Sequence, residues 1–164
     1  MKQSELNNVL DQHKLWLESN GSKGKRADLS GADLTGAKLA DVYLSGANLS
    51  GAKLADAYLS DADLTGANLT GVNLSGAKLT DANLSGVNLR GADLRGADLS
   101  DANLTGTNLT GADLFGVNLT RADLSDSILN SKYMFNAKVN QSQLSWLATD
   151  PNFCDWMNKL TIYD

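Results

Sequence analysis

The chain has 164 residues, the length of one domain, with 14 basic and 19 acidic side chains and a formal net charge of -5. That balance argues against a general binder of nucleic acid or of anionic lipid, because such proteins need excess positive charge. The single cysteine, Cys154, excludes an internal disulfide, and no run approaches the ~18 apolar residues of a membrane span. Since the first residues are polar and lack a signal-peptide core, we expect a cytoplasmic protein.

The first predicted element is an amphipathic helix that is capped by Ser4, runs to about Asn20 and is ended by Gly21. We assign residues 1–26 to an N-terminal capping helix and its linker. His13, the single histidine, is expected to pack near Trp16 rather than to act as a base or a ligand. Apolar side chains recur at helical spacing on one face of this segment, at Leu6, Val9, Leu10, Trp16 and Leu17.

A repeat of five residues follows the helix. From Leu29 to Leu129, every fifth residue is leucine, which makes 21 leucines. A small residue stands two places before each leucine and usually Asp or Asn one place before it, while Ser or Thr and then Gly or Asp follow. A period of five fits neither a helix nor a flat strand, so the leucines share one environment only if the chain turns every five residues. The leucine and the small residue then point inward, and the other three point outward.

A longer period of 20 residues predicts how many pentads close one coil. Among the residues that follow the Ser or Thr, the column Asp41, Asp61, Asp81 and Asp101 recurs at this interval, whereas the other columns are mostly glycine. Four pentads per coil imply a square cross-section, with coils stacked about 4.8 Å apart. Met134, Val139 and Leu144 keep the leucine phase in degraded form. We therefore predict a solenoid of about six coils over residues 27–146.

The corners of this solenoid are predicted to differ. Glycine suits the positive φ of a type II turn, so the glycine columns should form such turns. Aspartate tolerates positive φ poorly, so the corner at Asp41, Asp61, Asp81 and Asp101 should use a different turn.

The last predicted element is a second helix that begins at Pro151, with Phe153, Trp156, Met157 and Leu160 on its apolar face. We assign residues 147–164 to a C-terminal helical cap. Covers at both ends are expected, because the end coils of a β-helix carry unpaired backbone that would otherwise aggregate.

The pentads Ala-Asp-Leu-Ser-Gly, Ala-Asp-Leu-Thr-Gly and Ala-Asn-Leu-Ser-Gly resemble the pentapeptide-repeat family over residues 27 to about 131. The resemblance implies an all-β solenoid, a right-handed quadrilateral β-helix, often with a helix before the first coil. One branch of that family mimics DNA and binds type II topoisomerases such as gyrase through an acidic β-helix with a C-terminal dimerising segment. This chain differs from that branch in its unbroken leucine run and its moderate charge.

The outward positions offer no catalytic, cofactor or structural metal motif, and we expect a protein that is not an enzyme and holds no cofactor. The column Asp41, Asp61, Asp81 and Asp101, here called the acidic ladder, has two interpretations. It is either a solvated acidic corner, eased by nearby lysines and by Arg121, or a weak divalent-cation site of oxygen ligands. A column of Asn48, Asn68, Asn88 and Asn108 is expected to be structural, with amides that bond along the axis.

A second group of outward residues predicts an interaction patch. Arg95, Phe115 and Phe135 are spaced by 20 and should stack on one face, beside Tyr133. The patch is covered either by the chain's own C-terminal segment or by a partner protein or second copy, which would make a homodimer through the C-terminal end. We therefore expect a non-enzymatic binding or regulatory module that acts through protein contacts on its rigid outer faces. The alternative is a DNA-mimicking modulator of a type II topoisomerase.

Overall fold

A computed structural model describes residues 1–129, 134, 136–143 and 160–163. From Asp28↔Asn48 to Asn108↔Ile128, the residue before each leucine forms a parallel bridge with the residue 20 positions later. This register reaches Asn118↔Lys138. Since a corner follows every fifth residue, each coil has four sides, and the predicted superperiod of 20 residues is confirmed.

The backbone of the repeat is saturated with hydrogen bonds. In the pentad 47–51, three N–H groups bond to neighbouring coils and one closes the preceding corner. The fifth, that of Ser50, donates to Oδ1 of Asn48 at 3.2 Å. Asp or Asn before the leucine is thus an Asx turn residue, which pairs the one N–H that the coils leave free. The amide contacts along the axis are secondary, with Nδ2 of Asn68 3.4 Å from Oδ1 of Asn48.

The corners all use one turn, which corrects the prediction for the acidic ladder. At a glycine corner, Ala32 N–H donates to the Leu29 carbonyl at 3.1 Å, and Gly31 at the third position of the turn has φ +64°. Such a positive φ defines a type II turn. The aspartates have φ between 58° and 60°, and Arg121 also adopts 60°. The prediction that the aspartate corners use a different turn is therefore wrong. The N–H of each corner aspartate bonds to a carbonyl of the next coil, and this bond imposes the same backbone conformation as at the glycine corners. These aspartates are Asp41, Asp61, Asp81 and Asp101.

The inward leucines and small residues form one continuous core. Leu84, in mid-solenoid, is fully buried, whereas its neighbour Asn83 faces outward and is half-buried. Met134 and Val139 are also fully buried, so the degraded pentads keep the inward phase that their sequence predicts.

One helix, α1 (Gln3–Glu18), precedes the solenoid. It begins after Lys2 rather than at the predicted cap Ser4, because the Lys2 N–H donates to the carboxylate of Glu5 at 3.0 Å. Its buried Leu6 packs against the core of the solenoid. No helix in the described residues is long and apolar enough to cross a membrane.

Two hydrogen bonds join α1 to the linker and the first pentad. Lys25 N–H donates to the Gln12 carbonyl at 3.0 Å, and Ala27 N–H donates to Nδ1 of His13 at 3.0 Å. Gly24 allows this approach, since a Cβ there would stand 2.3 Å from the Gln12 carbonyl oxygen. His13 is fully buried and stacks on Trp16, with ring centroids 5.6 Å apart, as the sequence predicts.

The described C-terminal residues extend one side of the solenoid. Strand β1 (Lys138–Asn140) lies below Asn118, a 3₁₀ turn follows at Gln141–Gln143, and β2 (Thr161–Tyr163) pairs parallel with β1. The predicted helix is therefore wrong for residues 161–163, where β-branched and aromatic side chains favour a strand and Thr161 N–H bonds to the Ala137 carbonyl. Leu160 is not helical and packs against the core. Residues 147–159 of the predicted cap, including Pro151, Phe153 and Trp156, lie outside the described residues.

Candidate interaction surface

Two members of the predicted patch are described, and they occupy one corner column. Arg95 and Phe115 follow the leucines of successive coils, and the Phe115 side chain is 45% exposed. The Phe115 N–H donates to Oδ1 of Asp113 at 3.1 Å, so the Asx turn holds this ring outward. Tyr133 and Phe135 lie outside the described residues.

The Arg95 guanidinium pairs with carboxylates. Its Nε and Nη2 atoms donate to the two carboxylate oxygens of Asp93 at 2.8 and 2.6 Å, and Asp113 is 3.9 Å away. The hydrogen bond from Arg95 lowers the pKa of Asp93. Because Arg95 is more than half exposed, solvent screens this network, and its main effect is to hold the guanidinium on these carboxylates.

Further exposed apolar side chains lie at the same end of the molecule, and sequence reasoning did not single them out. Ile128 is 57% exposed in a slot that normally holds Asp or Asn, and Ile162 and Tyr163 of β2 are also exposed. The departure of Ile128 from the Asx pattern was a usable signal. The exposure of β2 was not readable, because its position depends on pairing with β1, more than 20 residues earlier.

The acidic ladder lies along one corner, as predicted. Asp41, Asp61 and Asp81 are exposed, and the parallel bridges place successive carboxylates one sheet spacing apart. Asp101 differs from them because the Arg121 guanidinium donates to both of its oxygens at 2.6 Å and lowers its pKa. Across the described ranges, no group of three or more His, Cys, Asp or Glu side chains is placed to hold a metal ion.

An exposed aromatic pair lies near the start of the solenoid. Tyr43 and Tyr58 are both exposed, and Nζ of Lys78 stands 5.0 Å from the centre of the Tyr58 ring. The cation–π contact on this surface thus belongs to Lys78 and Tyr58. It leaves Tyr43 as an exposed aromatic at the end opposite to Phe115.

Comparison with known proteins agrees with the geometry of the coils. Residues 27–66, 57–96 and 92–130 match the family profile of pentapeptide repeats, in eight copies. No curated protein matches the chain in sequence.

Among solved structures, Rfr23, a pentapeptide repeat protein from the cyanobacterium Cyanothece 51142, is 27% identical, with 83% of this chain and 96% of that chain covered and a TM-score of 0.46. A pentapeptide repeat protein from the Arabidopsis thaliana thylakoid lumen is 31% identical, with 73% of each chain covered and a TM-score of 0.42. HetL from Nostoc sp. strain PCC 7120, involved in heterocyst differentiation regulation, is 34% identical, with 69% of this chain and 60% of HetL covered and a TM-score of 0.38.

Proposed function

We propose, from the premise that this chain belongs to the pentapeptide-repeat family, that it is a non-enzymatic module that binds another protein through its C-terminal end. Proteins of this family fold as right-handed quadrilateral β-helices, the architecture in which every residue of a column has a fixed position. A rigid wall of this kind binds without the conformational entropy cost of ordering a loop. We also place the solenoid at about six coils over residues 27–146, with α1 and residues 147–164 as its end covers.

The exposed apolar side chains of the last described coils carry this proposal. Phe115 and Ile128 face solvent at outward positions of a repeat whose other outward positions are mostly polar, and Ile162 is exposed where β2 pairs with the inward-facing Val139. Exposed apolar surface with a polar rim is typical of a protein-binding site, and arginine is enriched among the residues that contribute most to binding at such sites. The partner is thus another protein or a second copy of this chain.

The test replaces Phe115 by serine, which already occupies the same column at Ser75. Phe115→Ser keeps the Asx turn and removes only the exposed ring, so the stability of the solenoid should not change. Light scattering after size exclusion should show whether a dimer becomes a monomer. Affinity capture from the host, quantified by mass spectrometry, should show whether a bound protein is lost.

The matched control is Tyr43→Asn, which removes an exposed ring from the opposite end and restores the residue found at Asn83. This variant should keep the mass and the partners of the wild type. If Phe115→Ser lowers stability while mass and partners stay the same, the ring is covered within the chain and the proposal fails. It also fails if both variants lose the same partners.

The acidic ladder supports a second candidate, a DNA-mimicking modulator of a type II topoisomerase. Three exposed carboxylates one sheet spacing apart present a regular line of negative charge, as a nucleic-acid backbone does. Against this, Lys38, Lys53 and Lys78 project from the walls of the same coils and dilute the charge.

A supercoiling assay with the gyrase of the host tests this candidate. The wild type should change gyrase activity at micromolar concentration, and the triple variant of Asp41, Asp61 and Asp81 to Asn should not. An added variant, Asp126→Asn, changes a corner carboxylate that stands alone in its column and should behave as the wild type. Gyrase activity that is unaffected by the wild-type chain rejects the candidate.

A further inference from the structure

His13 occupies the junction of α1 and the first coil in an unusual role. In later pentads, the N–H of the small residue bonds to the carbonyl of the preceding corner, as Ala47 does with Leu44 at 2.9 Å. Ala27 begins the first pentad and has no preceding corner. Its N–H donates instead to Nδ1 of His13 at 3.0 Å, so an imidazole nitrogen replaces the missing carbonyl.

This hydrogen bond fixes the protonation state of His13. A ring nitrogen that accepts a hydrogen bond carries no proton, so the hydrogen of the neutral ring is on Nε2. Nε2 is buried and has no hydrogen-bond partner in the part of the chain that the structure describes. Protonation of Nδ1 would set two N–H groups against each other and place a charge in a buried, unpaired site. The imidazolium therefore forms only when the junction opens.

The charged groups around the junction do not offset this cost. Arg26 in the linker, held by a bond from its Nε to the Gly46 carbonyl, opposes a positive ring. On the solenoid, the Asp28 carboxylate accepts hydrogen bonds from Ser30 and Asn48. On α1, Lys14 and Glu18 face each other in solvent at 3.9 Å. Burial has the largest effect and lowers the pKa of His13; the backbone of Ser45 acts in the opposite direction, and the charge of Arg26 lowers the pKa further.

We propose that His13 is a pH-sensitive latch, which holds α1 on the first coil at neutral pH and releases it when the ring is protonated. Release exposes the buried Leu6 and the first coil's backbone edge, which in each later coil is paired with the coil before it. An unpaired parallel edge is a template on which another strand can add. The latch therefore couples acidification to the opening of an assembly surface at the N-terminal end.

The expected pH dependence follows from linkage. The closed junction holds neutral His13 with a lowered pKa, whereas the open junction has an ordinary histidine pKa of about 6.5. The closed form is fully favoured above that value and loses its advantage as the pH falls below it. The opening constant should rise as the pH falls below ~6.5, by at most about tenfold per pH unit and at most about 30-fold between pH 7.5 and 5.0, the limit for a closed form that does not titrate in this range.

Amide hydrogen exchange measured by NMR tests the latch, with rates corrected for the intrinsic effect of pH. The protection factors of Ala27 and Lys25 should fall between pH 7.5 and 5.0, by at most about 30-fold, if the linked opening governs their exchange. Ala47 occupies the equivalent position one coil later, with a carbonyl as its acceptor, and its protection should not change.

Two variants separate the latch from general acid destabilisation. His13→Asn supplies an oxygen acceptor near Nδ1 that does not titrate, so the pH dependence at Ala27 should disappear. His13→Ala removes the acceptor, so Ala27 should exchange rapidly at both pH values while Ala47 stays protected. Equal protection of Ala27 at both pH values in the wild type overturns the proposal. An equal fall in His13→Asn does so too.

Discussion

Corner residues show how the regular hydrogen bonding of the coils imposes a positive φ on residues that disfavour it. Aspartate occupies the positive-φ site of a type II turn throughout the acidic ladder, and Arg121 does so at its end. The N–H of each of these aspartates bonds to a carbonyl of the next coil, as that of a glycine does, and the N–H of Arg121 donates to Oδ1 of Asn140. The identity of a corner residue therefore changes the surface charge much more than the fold.

The acidic ladder gives a prediction about stability. Asp61 lies between Asp41 and Asp81, and neighbouring carboxylates near a surface repel by roughly 1 kcal/mol per pair. Asp61→Asn removes two such pairs and should raise the free energy of unfolding by up to about 2 kcal/mol at low salt, with a smaller gain at high salt because of screening. Asp126→Asn, at a corner whose column is otherwise glycine, should change it little. Urea unfolding at two salt concentrations measures both, and a loss of stability in Asp61→Asn would mean that these carboxylates hold a ligand.

Inward and outward positions should respond very differently to truncation. Leu84 is fully buried, so Leu84→Ala should cost about 2–5 kcal/mol. Asn83→Ala should cost about 1 kcal/mol, because Oδ1 of Asn83 accepts the N–H of Ser85 at 3.1 Å. Thermal and urea unfolding of both variants measure the difference. Equal costs would contradict the assignment of inward and outward faces.

The elements at the two ends complete hydrogen bonds that the repeat leaves open. At the start, His13 supplies an acceptor to the first pentad. In the 3₁₀ turn, Gln143 is buried, and its side-chain amide supplies both a hydrogen-bond donor and an acceptor. Its Nε2 donates to the Leu119 and Ala122 carbonyls at 2.7 and 2.9 Å, and its Oε1 accepts the Asn140 N–H at 2.8 Å. A side chain thus replaces backbone partners where the regular register stops.

The role of Gln143 can be measured with a substitution of similar size. Gln143→Leu leaves three backbone groups without their partner and should cost about 1–3 kcal/mol in urea unfolding. Its matched control is Gln141→Leu, in the same 3₁₀ turn but exposed, which should change stability by less than about 0.5 kcal/mol. If both variants are as stable as the wild type, the Gln143 contacts make no net contribution.

At the scale of the whole molecule, every coil contacts only its neighbours, and α1 is the one long helix among the described residues. Such an architecture is approximately a sum of identical units and their interfaces. Removal of one whole coil should therefore preserve the fold. Removal of a length that is not a multiple of five should instead turn the inward leucines of all later coils away from the core.

Two deletions test this statement. Removal of residues 67–86 takes out one coil of 20 residues and keeps every downstream column in register. The shortened chain should keep a β-type circular dichroism spectrum with a minor helical part and unfold in one transition at a somewhat lower temperature. Removal of residues 67–84 shifts the pentad phase by two and should abolish the cooperative transition. A mainly helical spectrum from the intact chain would contradict the fold itself.

The sequence by itself determined the repeat unit, the inward and outward faces, the four-sided coil and the membership of a family. It could do so because contacts in a solenoid recur at a constant spacing, so the period in the chain is also the register in space. Leu84 and Asp61 were assigned to their faces in this way. The exposure of Phe115 was predicted in the same way, because the residue after each leucine points outward.

Only the tertiary structure decided the conformation of residues where the repeat ends and of corner residues whose local preference differs from the turn they adopt. The type II turn at the aspartate corners follows from hydrogen bonds to the next coil, which outweigh the local preference of the residue. Nδ1 of His13 and the amide of Gln143 became backbone partners because regular partners are missing at those places. β2 is a strand because its backbone meets that of β1, and such a pairing has no periodic signature in the sequence.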